Sequence, residues 1–246
     1  MTHDLIADTI TLTGHNGDEI EAYLAQPTDV EKVGSIVVIH HMPGYDDETK
    51  EICRHFAAQG YNALMPNLYS REAPGASPDD AAATVRAAGG VPDDRLVGDV
   101  NAAMLRLKSL PTSNGKVASI GHCSGGRQSF LAGCRLPLDA VIDCYGAFVS
   151  VDPPPDRPFT MKAVIGEAPN LSGPLLGLFG ADDQFPSPEQ NEALDEALTK
   201  AGKEHEFHTY DGAGHAFFWV SRPSYRPETA VEAWGEIFNF LARTIS

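Results

Sequence analysis

The chain has 246 residues, 42% of them hydrophobic, and carries a formal net charge of −16 at pH 7. That charge argues against nucleic acid and anionic membrane surfaces as partners, and no apolar run approaches the length of a bilayer span. Size and apolar content fit one large α/β domain over residues 1–246.

The first residues, Met1-Thr2-His3-Asp4, lack the basic-then-apolar pattern of a signal peptide. The four cysteines, Cys53, Cys123, Cys134 and Cys144, form no CxxC pair. Reduced thiols in a cytoplasmic protein are therefore expected. Asp8-Thr9-Ile10-Thr11-Leu12-Thr13 alternates, residues 14–18 turn, and Ile20-Glu21-Ala22-Tyr23-Leu24-Ala25 alternates back, which predicts an N-terminal antiparallel hairpin. Ser35-Ile36-Val37-Val38-Ile39 is a continuous apolar run, as in a strand covered on both faces, and it ends in His40-His41-Met42-Pro43-Gly44. A helix is predicted from about Glu48 to Gln59, stopped by Gly60, and then a strand over residues 61–65. Residues 72–93, rich in Ala, Gly, Pro and Asp, read as a long excursion holding one short helix.

Leu96, Val100, Ala103 and Leu107 share one helical face. Strands follow at 140–144, 175–179 and 204–210, with a helix from Glu189 to Ala201. Residues 149–174, dense in proline, read as a loop or cap over the site, and a closing helix is expected to bury Val231, Trp234, Phe238 and Leu241. Strands alternating with helices imply a doubly wound, mainly parallel sheet.

Between a strand at 117–120 and a helix from Arg127 lies Gly121-His122-Cys123-Ser124-Gly125. Gly-x-Cys-x-Gly at a strand-to-helix turn has the form of a nucleophile elbow, with cysteine in the place serine commonly takes. Such a turn lifts its central side chain clear and aims the amide of the next residue, Ser124, at whatever the thiolate attacks. Ser124 as nucleophile would need glycine at His122. In open α/β sheets the chemistry lies beyond the carboxyl ends of the strands. Cys123, Asp182-Asp183 and His215 fall there in the order nucleophile, acid, histidine, which is that of the α/β-hydrolases. His215 follows the last strand on a small-residue loop. Either aspartate could orient it, and Asp183 has the commoner spacing from Gly180. Neighbouring His40 and His41 point to opposite faces of their strand and offer no metal site, and no cofactor signature is present.

The chain resembles the dienelactone hydrolase family from about Ile20 to the C-terminal helix. The likeness is carried by Pro66-Asn67-Leu68-Tyr69-Ser70-Arg71-Glu72-Ala73-Pro74-Gly75, by residues 113–117 and 121–126, by Tyr145-Gly146, and by Gly212-Ala213-Gly214-His215-Ala216-Phe217. The resemblance implies hydrolysis of a small ester or lactone through a Cys-His-Asp triad and an acyl-enzyme. Cys123 would be the nucleophile, His215 the base, and Asp183 or Asp182 the acid. The amides of Met42 and Ser124 would form the oxyanion hole, with Tyr145 in the substrate site. Arg71 matches an arginine that holds the substrate carboxylate. Two positions depart from the family: His41 stands where a glutamate engages the resting thiol, and Trp219 stands where a second arginine is expected. Both departures point to a less anionic substrate. Two alternatives are a non-catalytic binder or thiol sensor on the same scaffold, and a serine esterase using Ser124. The oligomeric state is left open.

Overall fold

A computed structural model describes residues 2–246. Its centre is an eight-stranded sheet: β1 (Leu5–Thr13), β2 (Glu19–Pro27), β3 (Val33–Ile39), β4 (Asn62–Pro66), β5 (Ser113–His122), β6 (Ala140–Cys144), β7 (Leu175–Gly180) and β8 (His205–Tyr210). The spatial order is β1-β2-β4-β3-β5-β6-β7-β8. β1 and β2 form the antiparallel hairpin, with Leu12 opposite Ile20, and β2 runs antiparallel to β4. From β4 across to β8 every pairing is parallel. This is the α/β-hydrolase fold.

The parallel part needs cover on both faces, and the sequence of β3 shows why. Val37 and Ile39 join one apolar layer with α3 (Asp93–Lys108), α4 (Ser124–Arg135) and α5 (Pro188–Lys200). Ile36 and Val38 join the opposite layer with α1 (Asp47–Ala58) and α6 (Pro227–Thr244). Alternate residues of one strand thus feed two cores. Asp46 caps α1 by accepting from the Thr49 amide at 2.8 Å. Proline occupies the first turn of α2 (Pro78–Ala87), α5 and α6, where its missing N–H costs nothing.

In α6 the buried face is Ala230, Ala233, Ile237, Phe240 and Leu241. Trp234 and Phe238 are only partly covered, packing on His55 and Phe56. Val231 is 73% exposed. It lies about 100° around the helix from Ala230, off the face that meets the sheet, which corrects its expected burial. The 72–93 excursion holds α2, whose ten residues pack Ala81, Ala82 and Val85 inward. Among the described residues, no helix is long and apolar enough to cross a membrane.

Candidate active site

β5 turns into α4 at Cys123, whose backbone adopts φ 57°, ψ −121°. A non-glycine residue held there carries strain of about 1–3 kcal/mol. Small neighbours make the turn possible: a Cβ on Gly121 would lie 1.9 Å from the Gly125 carbonyl oxygen, and one on Gly125 would lie 2.3 Å from that of Ile39. Tyr145 (φ 43°), Phe148 (φ 67°) and Ala216 (φ 64°) are also left-handed, and all three lie around this turn. Four of the five non-glycine residues with positive φ among those described therefore surround one place.

His215 lies beyond β8, and its Nδ1 is 2.8 Å from Oδ2 of Asp183, which follows β7. The second Asp183 oxygen accepts from the Phe185 amide at 2.9 Å. Asp182, the neighbouring candidate, makes only a backbone contact, from its amide to the Ala213 carbonyl. Cys123, Met42, Ser124 and His215 line the same cavity, and His215 with the amides of Ser124 and Met42 favours charge on the sulfur. Burial opposes charge on the sulfur, but the bond and charge of His215 and those two amides outweigh it and hold the thiol below its ordinary range. Burial would likewise favour neutral imidazole, yet Asp183 and Cys123 raise His215 to about 10. These influences favour the thiolate–imidazolium form of the pair. It sits in a cavity of about 580 Å³, whose walls include Phe148, Phe159, Met161 and Phe185 and whose rim carries Arg86 and Arg157.

Of the residues singled out in the sequence, Met42, Cys123, Ser124, Asp182, Asp183 and His215 line this cavity. Tyr145 lies behind it, fully buried, with its ring edge-on to His215 at 5.2 Å. His41 does not reach the thiol. Its Nε2 lies 2.6 Å from the Asp46 carboxylate, and its ring stacks on Trp219 at 3.9 Å. Burial works against the Asp46 charge, but the bond and charge of His41 and the Thr49 donors hold its pKa at about 2. Asp46 is available because it caps α1, the next helix after β3. Trp219 is accordingly the back wall of His41, 4% exposed, rather than part of the cavity. His40 accepts from the Leu68 amide at Nε2, so its Nδ1 donates to the His41 carbonyl, and burial lowers its pKa to about 4.

Arg71 is not brought to the cavity either. Its guanidinium forks onto Asp99 at 2.8 and 2.9 Å and reaches Asp18 at 2.6 Å. Asp99 is fully buried on α3, and the pair joins that helix to the turn after β1. Arg86 and the segment 148–161, which supply much of the cavity wall and its cations, carried no chemical motif. The proline density of 149–174 was the one available signal.

The fold and the elbow define an α/β-hydrolase. A family model described as the dienelactone hydrolase family matches residues 20–245, and the chain belongs to that family. A proposed carboxymethylenebutenolidase of Methylorubrum extorquens is 32% identical over 94% of this chain and 78% of its own. One of Escherichia coli K12 is 31% identical over 97% and 88%. The crystal structure of a proposed dienelactone hydrolase from Klebsiella pneumoniae superposes with a TM-score of 0.84 at 26% identity, covering 98% of this chain and 99% of that one.

Proposed function

We propose that this protein hydrolyses a carboxylic ester or lactone through a covalent thioester on Cys123. The observation that carries the reading is the 2.8 Å contact of His215 with Asp183 in the cavity that both line together with Cys123. The thiolate attacks the substrate carbonyl, and the oxyanion that develops meets the amides of Ser124 and Met42. The tetrahedral species collapses, the C–O bond breaks, and imidazolium His215 gives its proton to the departing alkoxide. For a lactone that alkoxide stays attached to the acyl group. Neutral His215 then takes a proton from water, hydroxide adds to the thioester carbon, and the acid leaves with Cys123 restored as thiolate. Asp183 keeps the Nδ1 proton in place, so that Nε2 faces the reacting atoms throughout.

The substrate is a small molecule of the ester or lactone class, and no cofactor takes part in these steps. Cytoplasmic residence fits the four free cysteines. Cys123→Ala is the test: turnover of an activated ester should fall to background with the fold intact. Retained turnover would remove Cys123 from the mechanism, and transfer of the loss to Ser124→Ala would favour the serine-esterase reading.

A further inference from the structure

We propose that His40 is a positioning residue for the oxyanion hole: its Nδ1–H grips the His41 carbonyl and so sets the direction of the Met42 amide, the other end of the same peptide group. This rests on the hydrolase reading above, in which the Met42 amide receives the developing oxyanion, and adds what holds that amide in place.

Three observations carry the proposal. First, one rigid group joins the two ends. The His41–Met42 peptide is trans, so it is planar, with its C=O and N–H directed oppositely. Whatever fixes the His41 carbonyl therefore fixes the direction of the Met42 N–H. That carbonyl accepts from His40 Nδ1 at 3.0 Å and from the Gly44 amide at 2.9 Å. Turning the peptide over would break both bonds and put a carbonyl oxygen where the amide stood. Donors on a carbonyl also polarise the N–H across the same group, which strengthens it as a donor.

Second, His40 is held in the donating tautomer. Its Nε2 accepts from the Leu68 amide at 3.2 Å, which leaves the ring proton on Nδ1. The residue is 1% exposed, and burial lowers its pKa to about 4, so near pH 7 the ring is neutral and carries one proton. His40 is not among the residues that line the cavity, whereas Met42 and Cys123 are. It acts through the peptide and not on the substrate.

Third, the segment after β4 braces the same turn again. Tyr69, next to Leu68, packs edge-on against the His40 ring, with centroids 4.7 Å apart. Its hydroxyl donates to the Met42 carbonyl at 2.9 Å. Both peptide groups that flank Met42 are thereby held at their carbonyl ends. The second of them, Met42–Pro43, has no N–H, and its proline draws Met42 toward extended backbone. Leu68 and Tyr69 thus serve the turn that follows β3.

The test uses two substitutions that divide the ring's hydrogen bonds. His40→Asn places an amide N–H close to the Nδ1 position and gives up the acceptor for Leu68. His40→Gln reaches the Nε2 position and accepts from Leu68, but offers no donor to the His41 carbonyl. Each leaves one buried group unpaired, so the two should lower the urea midpoint alike. Turnover of para-nitrophenyl butyrate should separate them. In His40→Gln kcat should fall about 10–100-fold, within the loss that follows removal of one oxyanion donor, while KM stays close to the wild-type value. His40→Asn should keep most of the wild-type kcat. A second reading comes from 1,1,1-trifluoropentan-2-one. The thiolate adds to its carbonyl carbon, the C=O π pair moves to oxygen, and that oxyanion takes the same place. Its inhibition constant should rise in His40→Gln in step with the fall in kcat/KM, and stay near wild type in His40→Asn. If one variant fails to fold, the other decides alone by the same readings. Unchanged kcat in His40→Gln, or equal losses in the two variants, overturns the proposal and leaves the hydrolase reading standing. A wild-type protein that turns over no ester overturns that reading, and the positioning role with it.

Discussion

His215 and Asp183 lie 32 residues apart in the chain, yet their Nδ1 and Oδ2 atoms meet at 2.8 Å beside Cys123. The second Asp183 oxygen is held by the Phe185 amide, so the carboxylate cannot turn away from the imidazole without giving up that bond. Asp183→Asn should therefore keep the packing but favour the wrong imidazole tautomer. Its kcat should fall by about 10²–10⁴-fold, and Asp182→Asn should cost far less. Steady-state rates on an activated ester check both, and equal losses would remove the orienting role from Asp183.

The charge state of the pair can be read without substrate. Cys123 is held below its ordinary thiol range and His215 is raised to about 10, so the thiolate should persist below the pH at which a free cysteine ionises. The rate of Cys123 alkylation by iodoacetamide should then rise at a lower pH than that of a free cysteine. In His215→Ala, where burial acts unopposed by imidazolium, the rate should instead climb in the alkaline range. A wild-type rate that climbs like that of the variant would mean a neutral resting thiol.

Arg71 separates a structural role from a recognition role. Its partner Asp99 has a fully buried side chain, and Arg71 itself is 16% exposed. Removing one member of such a pair leaves an uncompensated charge and typically costs about 3–5 kcal/mol. Arg71→Met should lower the urea midpoint accordingly, while the selectivity between charged and neutral esters stays as in the wild type. A selectivity loss at unchanged stability would return Arg71 to the substrate.

Much of this was legible in the sequence because local rules leave few choices. Gly-x-Cys-x-Gly after an apolar run permits one sharp turn, since the close approach of Gly121 and Gly125 excludes a Cβ at either. The continuous apolar stretch of β3 implied cover on both faces, and two cores receive its alternate residues. What sequence order could not supply was the choice of partner among charged residues. Arg71 sits in a family-like stretch, but its neighbours Asp18 and Asp99 come from distant elements. His41 likewise pairs with Asp46, the residue that caps α1. Val231 failed for a simpler reason: a helix has one buried face, and a hydrophobic residue one step around it faces water.

Asp143 offers a stability test at the end of β6. It is fully buried, and its Oδ1 accepts from the Gly146 amide at 2.7 Å, while its other oxygen is without a partner. Burial pushes the carboxyl up to about 7, with the Gly146 bond opposing, from an ordinary value of 3.8. The folded state thus retains a proton that the unfolded chain loses, so stability is greatest below about pH 4 on this account and falls as pH rises toward 7. Asp143→Asn keeps an acceptor for Gly146 and carries no charge. At pH 8 it should be more stable than wild type by about 1–3 kcal/mol, with the gap closing toward pH 4. Parallel stability–pH curves for the two proteins would contradict this.

The central claim is that Cys123 carries the acyl group. Rapid acid quench of the enzyme during turnover of a para-nitrophenyl ester, followed by peptide mass spectrometry, tests it most directly. The account predicts an acyl mass on the peptide containing Cys123, lost in Cys123→Ala and accumulating in His215→Ala if acylation still proceeds. An acyl mass on Ser124, or full turnover by Cys123→Ala, would contradict it.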